Sequence, residues 1–399
     1  MDIELPTPYV TANPDRHEAV LVAHSGSRDP DMAAQDLASR LLHPCLGGVL
    51  FFCSAEYDLE ALGQAMEQHF GGVTLCGCTT AGEITDAGYG RGGITAIGFD
   101  QRDFALDHAL LDDLDQVSLL AAQQLTDGLL ERCRQAGIAP IKGHTFALTL
   151  LDGLSASEER VLATLNAALG SIPHFGGSAG DDNRLSGTHV YGNGRFRTGA
   201  AVVIMINTTL DFEVFTTHHL RPLDDKLVVT AADREHRRVI ELNAEPAAEE
   251  YARLVGCRVD ELDEETFARH PLAVRLHDHA YVRSIQRVNE DLSLSFYCAV
   301  ENGIVLTAMR AAPILDDLRA ALDEIRERLG PPRLVIGCDC FLRRLEIEAD
   351  GIGEAASALL RDYRVVGFNT YGEQCNGMHL NQTFTGVVIG QLRRSNGSR

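Results

Sequence analysis

The chain has no apolar run of 18 residues, so no segment is long enough to span a membrane as a helix. Its N-terminus, MDIELPTPYVTANPD, is acidic and lacks the apolar stretch of a secretory signal. Positive charge is scarce, since 35 Lys and Arg oppose 57 Asp and Glu for a formal charge of −22. We therefore expect a cytoplasmic protein of the bacterial type, with neither a nucleic acid nor a membrane as its partner.

Several motifs of catalysis and phosphate binding are also missing. GGSAG at 176–180 has the Gly-x-Ser-x-Gly spacing, but it precedes a turn-rich stretch where a nucleophile elbow needs a helix. The phosphate-binding pattern Gly-x4-Gly-Lys-Ser/Thr is absent. Without a Cys-x-x-Cys-His, covalent attachment of a c-type haem is excluded in its usual form. None of these patterns indicates an enzyme.

The ten cysteines mostly lie inside apolar runs such as LFFCS, TLCGC and VIGCDC. We expect them to stay reduced and to form no disulfide, because the chain is large and has a cytosolic composition. Cys76 and Cys78 point to one face of a predicted strand, and Cys338 with Cys340 repeats the spacing. These four thiols could hold Zn²⁺ or act as a redox switch. The pattern favours burial as small apolar side chains instead.

An internal repeat organises much of the chain. Three stretches share an apolar lead, a glycine, a small or polar pair, and a second glycine followed by an acid: LCGCTTAGE (75–83), HFGGSAGDD (174–182) and VVGFNTYGE (365–373). Each follows an apolar run and a helical pattern, and each precedes another apolar run. We therefore predict a common strand–helix–strand–turn–strand unit at 48–99, 145–206 and 333–390. In the second unit, Ser155 and Glu158 have the spacing of a helix capping box.

Residues 210 to 320 have a different pattern. Short alternating runs such as KLVVT, RVIEL and LAVRL predict strands, and the charged stretch DDLRAALDEIRERLG predicts a helix that ends at Gly330. A length of 399 residues is typical of two domains. We predict an α/β protein with a domain boundary near residues 210–222, where TTLDFEVFTTHHLRP leaves the second unit.

The most concentrated polar turn lies in GFNTYGEQCNGMHLNQTFTGVVIG, residues 367–390. Five polar side chains crowd between two predicted strands there, namely Tyr371, Glu373, Asn376, His379 and Asn381. Ligands in α/β proteins tend to bind where loops meet at the ends of strands. The turn is therefore either a polar loop that solvates itself or part of a ligand site, and we predict the ligand site.

These motifs resemble a known family. The stretches FFCSAEYDLEAL, CGCTTAGEITDAGYGRGGITAIGF and FGGSAGDD resemble the N-terminal domain of the FIST sensory family. The stretches LVVTAADREHRRVIELNAEPAAEEYARLVG and VVGFNTYGEQCNGMHLNQTFTGVVIG resemble its C-terminal domain. The resemblance implies a two-domain FIST architecture, with the N-terminal domain at 18–212 and the C-terminal domain at 213–392. It also implies a bacterial ligand sensor rather than an enzyme, acting on two-component or cyclic-di-GMP signalling.

The amino-acid sequence of residues 371–383 resembles that of the nitric-oxide-sensing branch of that family. The branch implies bound haem b, nitric oxide at its iron, and regulation of a partner histidine kinase. His379 is expected to be the proximal iron ligand, and the fallbacks in order are His218, His219 and His24. The other residues expected at the cofactor are Tyr371, Glu373 and Asn381, with Arg283, Arg221, Arg343 and Arg344 as cations for the propionates.

Two further readings stay open at this point. One is a haem-free FIST module that senses an amino acid or another small metabolite. The other is the zinc or thiol switch at the four paired cysteines. An absorption spectrum with haem and nitric oxide, thermal stabilisation by amino acids, and zinc analysis would separate the three. A homodimer is left open as well.

Overall fold

The computed structural model describes residues 18–276 and 279–392, so the N-terminal stretch discussed above lies outside the described residues. The described chain forms three six-stranded mixed sheets and one eight-stranded antiparallel sheet. Helices cover the three mixed sheets, which confirms the predicted α/β class.

The first unit contains two helices and six strands. In chain order these are β1 (Val20–Ser25), α1 (Pro30–Leu41), β2 (Leu46–Ser54), α2 (Leu59–His69), β3 (Thr74–Thr80), β4 (Glu83–Thr85), β5 (Gly88–Gly90) and β6 (Ile94–Asp100). The run LGGVLFFCS becomes β2, which is buried on both faces as expected for a central strand between helices and a core.

The second unit repeats this order. Its elements are β7 (Phe104–Asp112), a 3-10 turn (Leu114–Gln116), α3 (Leu119–Ala136), β8 (Thr145–Leu151), α4 (Glu158–Leu169), β9 (His174–Ser178), β10 (Val190–Gly192), β11 (Arg195–Arg197) and β12 (Ala200–Thr208). The predicted capping box is wrong, because α4 begins at Glu158 itself with Ser157 as its N-cap. The carboxylate of Glu158 therefore does not cap its own helix, and it contacts residues of other elements instead.

The third unit is interrupted after its first strand, β13 (Leu210–Thr217). The inserted segment, residues 220–311, forms the eight-stranded sheet with two helices. It consists of β14 (Leu220–Asp233), β15 (Arg238–Leu242), β16 (Glu245–Pro246), α5 (Ala247–Val255), a 3-10 turn (Val259–Glu261), α6 (Glu264–Arg269), β17 (Leu272–Leu276), β18 (His279–Arg283), β19 (Ile285–Val288), β20 (Leu294–Phe296) and β21 (Val305–Ala311).

The rest of the third unit follows this insert. It consists of α7 (Ile314–Leu329), β22 (Leu334–Cys340), α8 (Phe341–Ala349), α9 (Gly353–Asp362), β23 (Val365–Thr370), β24 (Glu373–Cys375), β25 (Met378–Leu380) and β26 (Phe384–Leu392). Helix α7 ends at Gly330 as predicted. The domain boundary between 212 and 213 stays a prediction.

Sheet order confirms the repeat. The three sheets run β1-β6-β2-β3, β7-β12-β8-β9 and β13-β26-β22-β23, so matching strands hold matching positions. Each sheet is completed by a hairpin from another unit: β10–β11 joins the first sheet, β24–β25 the second, and β4–β5 the third. The units therefore exchange their hairpins in a closed cycle, which the sequence did not indicate.

One core lies between the three sheets. Phe52 of the first sheet stacks on Phe368 of the third with ring centroids 4.5 Å apart. Cys78 and Cys338 are buried in the same core, as are Phe146 and Ile204 of the second sheet. The outer face of each sheet packs against its own helices in a separate cluster. The described cysteines are all unpaired, and burial raises the pKa of the Cys78 and Cys338 thiols well above the usual value.

The three glycine motifs meet at one end of this core. The amide of Ala81 donates to the carbonyl of Asn369 at 2.9 Å, and that of Gly180 donates to the carbonyl of Thr79 at 3.0 Å. A side chain at Gly180 would place its Cβ only 2.4 Å from the Ala81 nitrogen. The glycine is required there because two backbones touch.

Candidate functional site

Tyr371 and Glu373, from the third glycine motif, are both buried in internal hydrogen bonds. The Tyr371 hydroxyl donates to the carboxylate of Asp181 in the second motif. Glu373 accepts from the hydroxyl of Thr370 and from both the amide and hydroxyl of Thr383, at 3.1 and 2.9 Å. Burial raises the pKa of Glu373 to about 8. Both buried residues tie the hairpin to its surroundings.

His379 is buried on one face of β25, with 5% of its surface exposed. Its Nδ1 lies 3.2 Å from the Glu159 carboxylate, and its Nε2 lies 3.8 Å from that of Glu158. Burial lowers the pKa of His379, but the two carboxylates outweigh it and the pKa is raised. Burial likewise opposes ionisation of Glu159, yet the hydrogen bond to His379 holds its pKa below the usual range. The two neighbouring carboxylates therefore favour the protonated form of the imidazole.

Arg237 of the insert joins this group. Its Nη2 lies 3.0 Å from a carboxylate oxygen of Glu158 and 3.0 Å from one of Glu159. The amide of Ala299, also in the insert, donates to Glu159 at 2.8 Å. We call Glu158, Glu159, Arg237 and His379 the junction cluster, because they connect α4, the third hairpin and the insert.

Asn381 and Arg283 lie at the edge of this junction. The Asn381 side-chain oxygen is 3.2 Å from the Cys298 sulfur and is fully buried. The Arg283 guanidinium donates to the carbonyl of Val282 at 3.1 Å. Of the predicted site residues, the structure brings His379, Asn381 and Arg283 to one region, while Tyr371 and Glu373 belong to the glycine motifs.

A cavity of about 530 Å³ lies on the other face of β25, and we call it the hairpin cavity. Side chains alternate along a strand, so Met378 and Leu380 line the cavity while His379 faces the junction cluster. The described residues lining it are Thr216, Thr217, His218, Ala280, Tyr281, Cys375, Asn376, Met378, Leu380 and Thr383. None of these side chains carries a fixed charge.

His218 is the histidine that the hairpin cavity does reach. Burial lowers its pKa, so the ring is neutral at physiological pH. Its Nδ1 accepts the amide of Leu220 at 3.2 Å. The other two fallback histidines are placed elsewhere. His219 is buried between Glu346 and Arg343, and His24 is bonded to Asp86 at 2.6 Å.

Haem b does not fit beside His379 in this arrangement. The Nδ1 contact with Glu159 is the kind that orients a metal-bound imidazole, and Nε2 has no hydrogen-bond partner. However, a Cβ built on Gly372 would lie 2.0 Å from Nε2, so backbone already fills the space that iron would need. The raised pKa also favours a protonated ring, which cannot bind a metal.

The expected propionate cations are engaged away from the hairpin cavity. Arg343 is buried against Asp339 at 2.7 Å, and Arg344 bonds to Glu348 at 2.9 Å. Arg221 is paired with Asp317 at 2.8 Å. With Arg283 turned toward a backbone carbonyl, none of the four is among the described residues of the cavity wall.

The sequence predicted a ligand site in this hairpin with His379 as its central residue, and the structure places His379 on the face of β25 that points away from the hairpin cavity. Met378, Asn376 and Cys375 line the hairpin cavity and were not singled out as a set. Alternation along β25 was the available signal, since a buried histidine facing carboxylates implies that its neighbours face elsewhere. The cysteines of the two Cys-x-Cys motifs, Cys76, Cys78, Cys338 and Cys340, are fully buried. No group of metal-binding side chains occurs among the described residues. None of the described helices has the length and apolarity that crossing a membrane requires.

Comparison with known proteins gives two family matches. The FIST N domain model matches residues 48–245, and the FIST C domain model matches residues 247–376. No curated protein matches the chain. Among solved structures, a cyanuric acid hydrolase from A. caulinodans aligns with 94% of this chain and 99% of its own, at 10% identity and a TM-score of 0.38. That similarity is too low to support any statement about activity.

Proposed function

Because this chain belongs to the FIST family, whose domains are signal-transduction sensors, we propose that it senses a small polar metabolite bound in the hairpin cavity. The signal would pass to a partner histidine kinase, in two-component or cyclic-di-GMP signalling in the cytoplasm. In this proposal the chain has no enzymatic output of its own.

The observation that carries the proposal is the chemistry of the cavity wall. Three threonines, an asparagine, a tyrosine and the neutral imidazole of His218 line about 530 Å³ together with the apolar side chains of Met378 and Leu380. Such a wall offers hydrogen bonds and apolar contact, which suit a small ligand. It lacks fixed charge among the described residues, so an uncharged polar metabolite is favoured over a free amino acid.

The position of the cavity supports a signalling role. A ligand against Met378 and Leu380 would press on β25, whose opposite face carries His379. His379 contacts Glu159, which bonds to Arg237 and Ala299 of the insert. One three-residue strand therefore lies between the ligand site and the contact of the insert with the second unit.

Thermal unfolding with a panel of uncharged polar metabolites tests the proposal. A ligand should raise the unfolding midpoint of the wild-type protein. The variant Met378→Trp, which fills the cavity, should lose that response. Met32→Trp is the matched control, because Met32 is exposed on α1, and it should respond like the wild type. Equal responses from both variants would place the ligand elsewhere.

Haem b, through which nitric oxide would be sensed, is the second candidate. The observation that favours it is the neutral ring of His218 on the cavity wall, and haem at this site would supply the iron centre for the gas. His218 would have to give up its contact with the Leu220 amide to present Nε2 to a metal. The apolar side chains of Met378 and Leu380 would face the macrocycle.

Absorption spectra after addition of haem b separate the two candidates. A Soret band that shifts with nitric oxide supports haem, and its absence supports the haem-free sensor. If the band forms, His218→Ala should remove it, and exposed His236 provides the matched control His236→Ala. Loss of the band in His379→Ala alone would instead support the prediction from the sequence that His379 is the ligand.

A further inference from the structure

A second candidate site lies at the opposite end of the third sheet from the glycine motifs. Two adjoining depressions, of about 230 and 730 Å³, open where β22 and β23 begin. Both are lined by Val20, Arg333 and Arg364. Arg361 lines the smaller depression and Arg326 the larger one. We call this region the arginine groove, defined by Arg326, Arg333, Arg361 and Arg364.

Two of these arginines have partners and two do not. Arg326 bonds to Asp323 at 2.6 Å, and Arg361 bonds to Glu354 at 2.8 Å. The side chains of Arg333 and Arg364 form no hydrogen bond or ion pair within the described residues. The Nε of Arg333 is moreover buried, and a buried donor without an acceptor is costly. The described residues therefore leave the buried Nε of Arg333 without an acceptor, which a bound anion could supply.

The groove contains carboxylates as well as guanidinium groups. Its walls contain three carboxylates, Glu18, Asp86 and Asp362, against four guanidinium groups. Asp86 is already bonded to His24 at 2.6 Å. Arg326 and Arg361 are neutralised by Asp323 and Glu354, so the guanidinium groups that could attract an anion are those of Arg333 and Arg364.

The backbone at Arg364 gives an independent indication. Arg364 has φ of 55°, in the left-handed region just after α9, where glycine is the usual residue. An arginine at a strained position points to a use for its side chain.

The repeat gives a second comparison. The residues before β3 and β9 are Val73 and Pro173, and those before β2 and β8 are Cys45 and His144. In the third unit, Arg333 precedes β22 and Arg364 precedes β23. The other two units have no arginine at these positions, so the repeated fold does not require one there.

We propose that the arginine groove binds a small anion through a phosphate or carboxylate group, with Arg333 and Arg364 as its donors. Guanidinium groups offer paired N–H donors that match two oxygens of either group. The groove is separate from the hairpin cavity, so such an anion would be a second ligand beyond the proposed sensing function.

Isothermal titration of the full-length protein tests this at constant ionic strength in sodium chloride. The probes are inorganic phosphate and succinate, which separate the two anion chemistries. Binding of either probe should weaken at least tenfold in the double variant Arg333→Gln/Arg364→Gln. The control Arg195→Gln/Arg287→Gln removes the same two charges from exposed sites outside the groove, and it should bind like the wild type.

Arg364→Gly separates binding from folding. Glycine relieves the strained backbone, so the unfolding midpoint should equal or exceed that of the wild type. Its affinity for the anion should nevertheless fall. The proposal is overturned if neither probe binds the wild type, if both double variants weaken binding equally, or if Arg364→Gly binds as tightly as the wild type.

Discussion

The two faces of β25 present opposite environments from neighbouring residues. His379 faces two carboxylates and an arginine in a closed, charged cluster. Met378 and Leu380 face an open cavity whose described wall has no fixed charge. Burial alone lowers the pKa of both His379 and His218, but only His379 has carboxylates that reverse the effect. The charged face is suited to holding parts of the protein together, and the neutral face is suited to receiving a ligand.

Removing Arg237 should have the largest effect, because it leaves the buried Glu158 and the partly buried Glu159 with a single positive partner, His379. We expect Arg237→Met to destabilise the protein by about 3 kcal/mol, as is typical when a buried ion pair loses one member. Urea denaturation measures the change. Its neighbour Arg238, which is partly exposed and paired with Asp291, gives the control Arg238→Met, with an expected loss below about 1 kcal/mol. Equal losses would remove the distinction between the two arginines.

His379→Gln should cost about 2 kcal/mol at pH 6, since the amide keeps a hydrogen bond but loses the charge. The pKa of His379 is raised on folding, so its stabilising contribution is complete below about pH 6.5 and fades as pH rises through the folded value. The difference in unfolding free energy between wild type and variant should therefore shrink from pH 6 to pH 9. A difference that stays constant with pH would mean that His379 is not charged.

His218→Ala should have the smallest effect, below about 1 kcal/mol at pH 8, because a neutral, partly exposed ring loses one hydrogen bond. The pH dependence should have the opposite sign. The pKa of His218 is lowered on folding, so the stability that the neutral ring contributes is present above about pH 6.5 and is lost as pH falls. Chemical denaturation of this variant from pH 8 to pH 5 checks the sign. Parallel slopes for the two histidine variants would contradict the comparison.

Local patterns were enough to predict the repeat. Apolar runs, helical spacing and paired glycines placed the units at 48–99, 145–206 and 333–390, and matching strands occupy matching sheet positions. Exchange of the hairpins could not be predicted in this way, because the pairing of β24 with β9 joins residues about 200 positions apart. Nothing in either short segment specifies its distant partner.

The candidate site shows the same limit. The polar turn at 367–390 forms a hairpin that lines a cavity, and the ligand site there stays a prediction. Choosing His379 required knowing which side of β25 faces Glu158 and Glu159, and those residues come from α4 in another unit. The capping-box pattern predicted that Glu158 would bond within its own helix end. Its contacts in the junction cluster could therefore not be predicted from the sequence.

The cyclic exchange of hairpins also bears on what a fragment of this chain could do. A single unit in isolation would keep its own four strands, but its hairpin would have no sheet to join and its sheet would lack the two strands it takes from another unit. Three copies arranged around an axis would satisfy every one of these pairings. The protein can thus be regarded as a trimer joined into one polypeptide, in which the third subunit has acquired an insert and the hairpin cavity beside it.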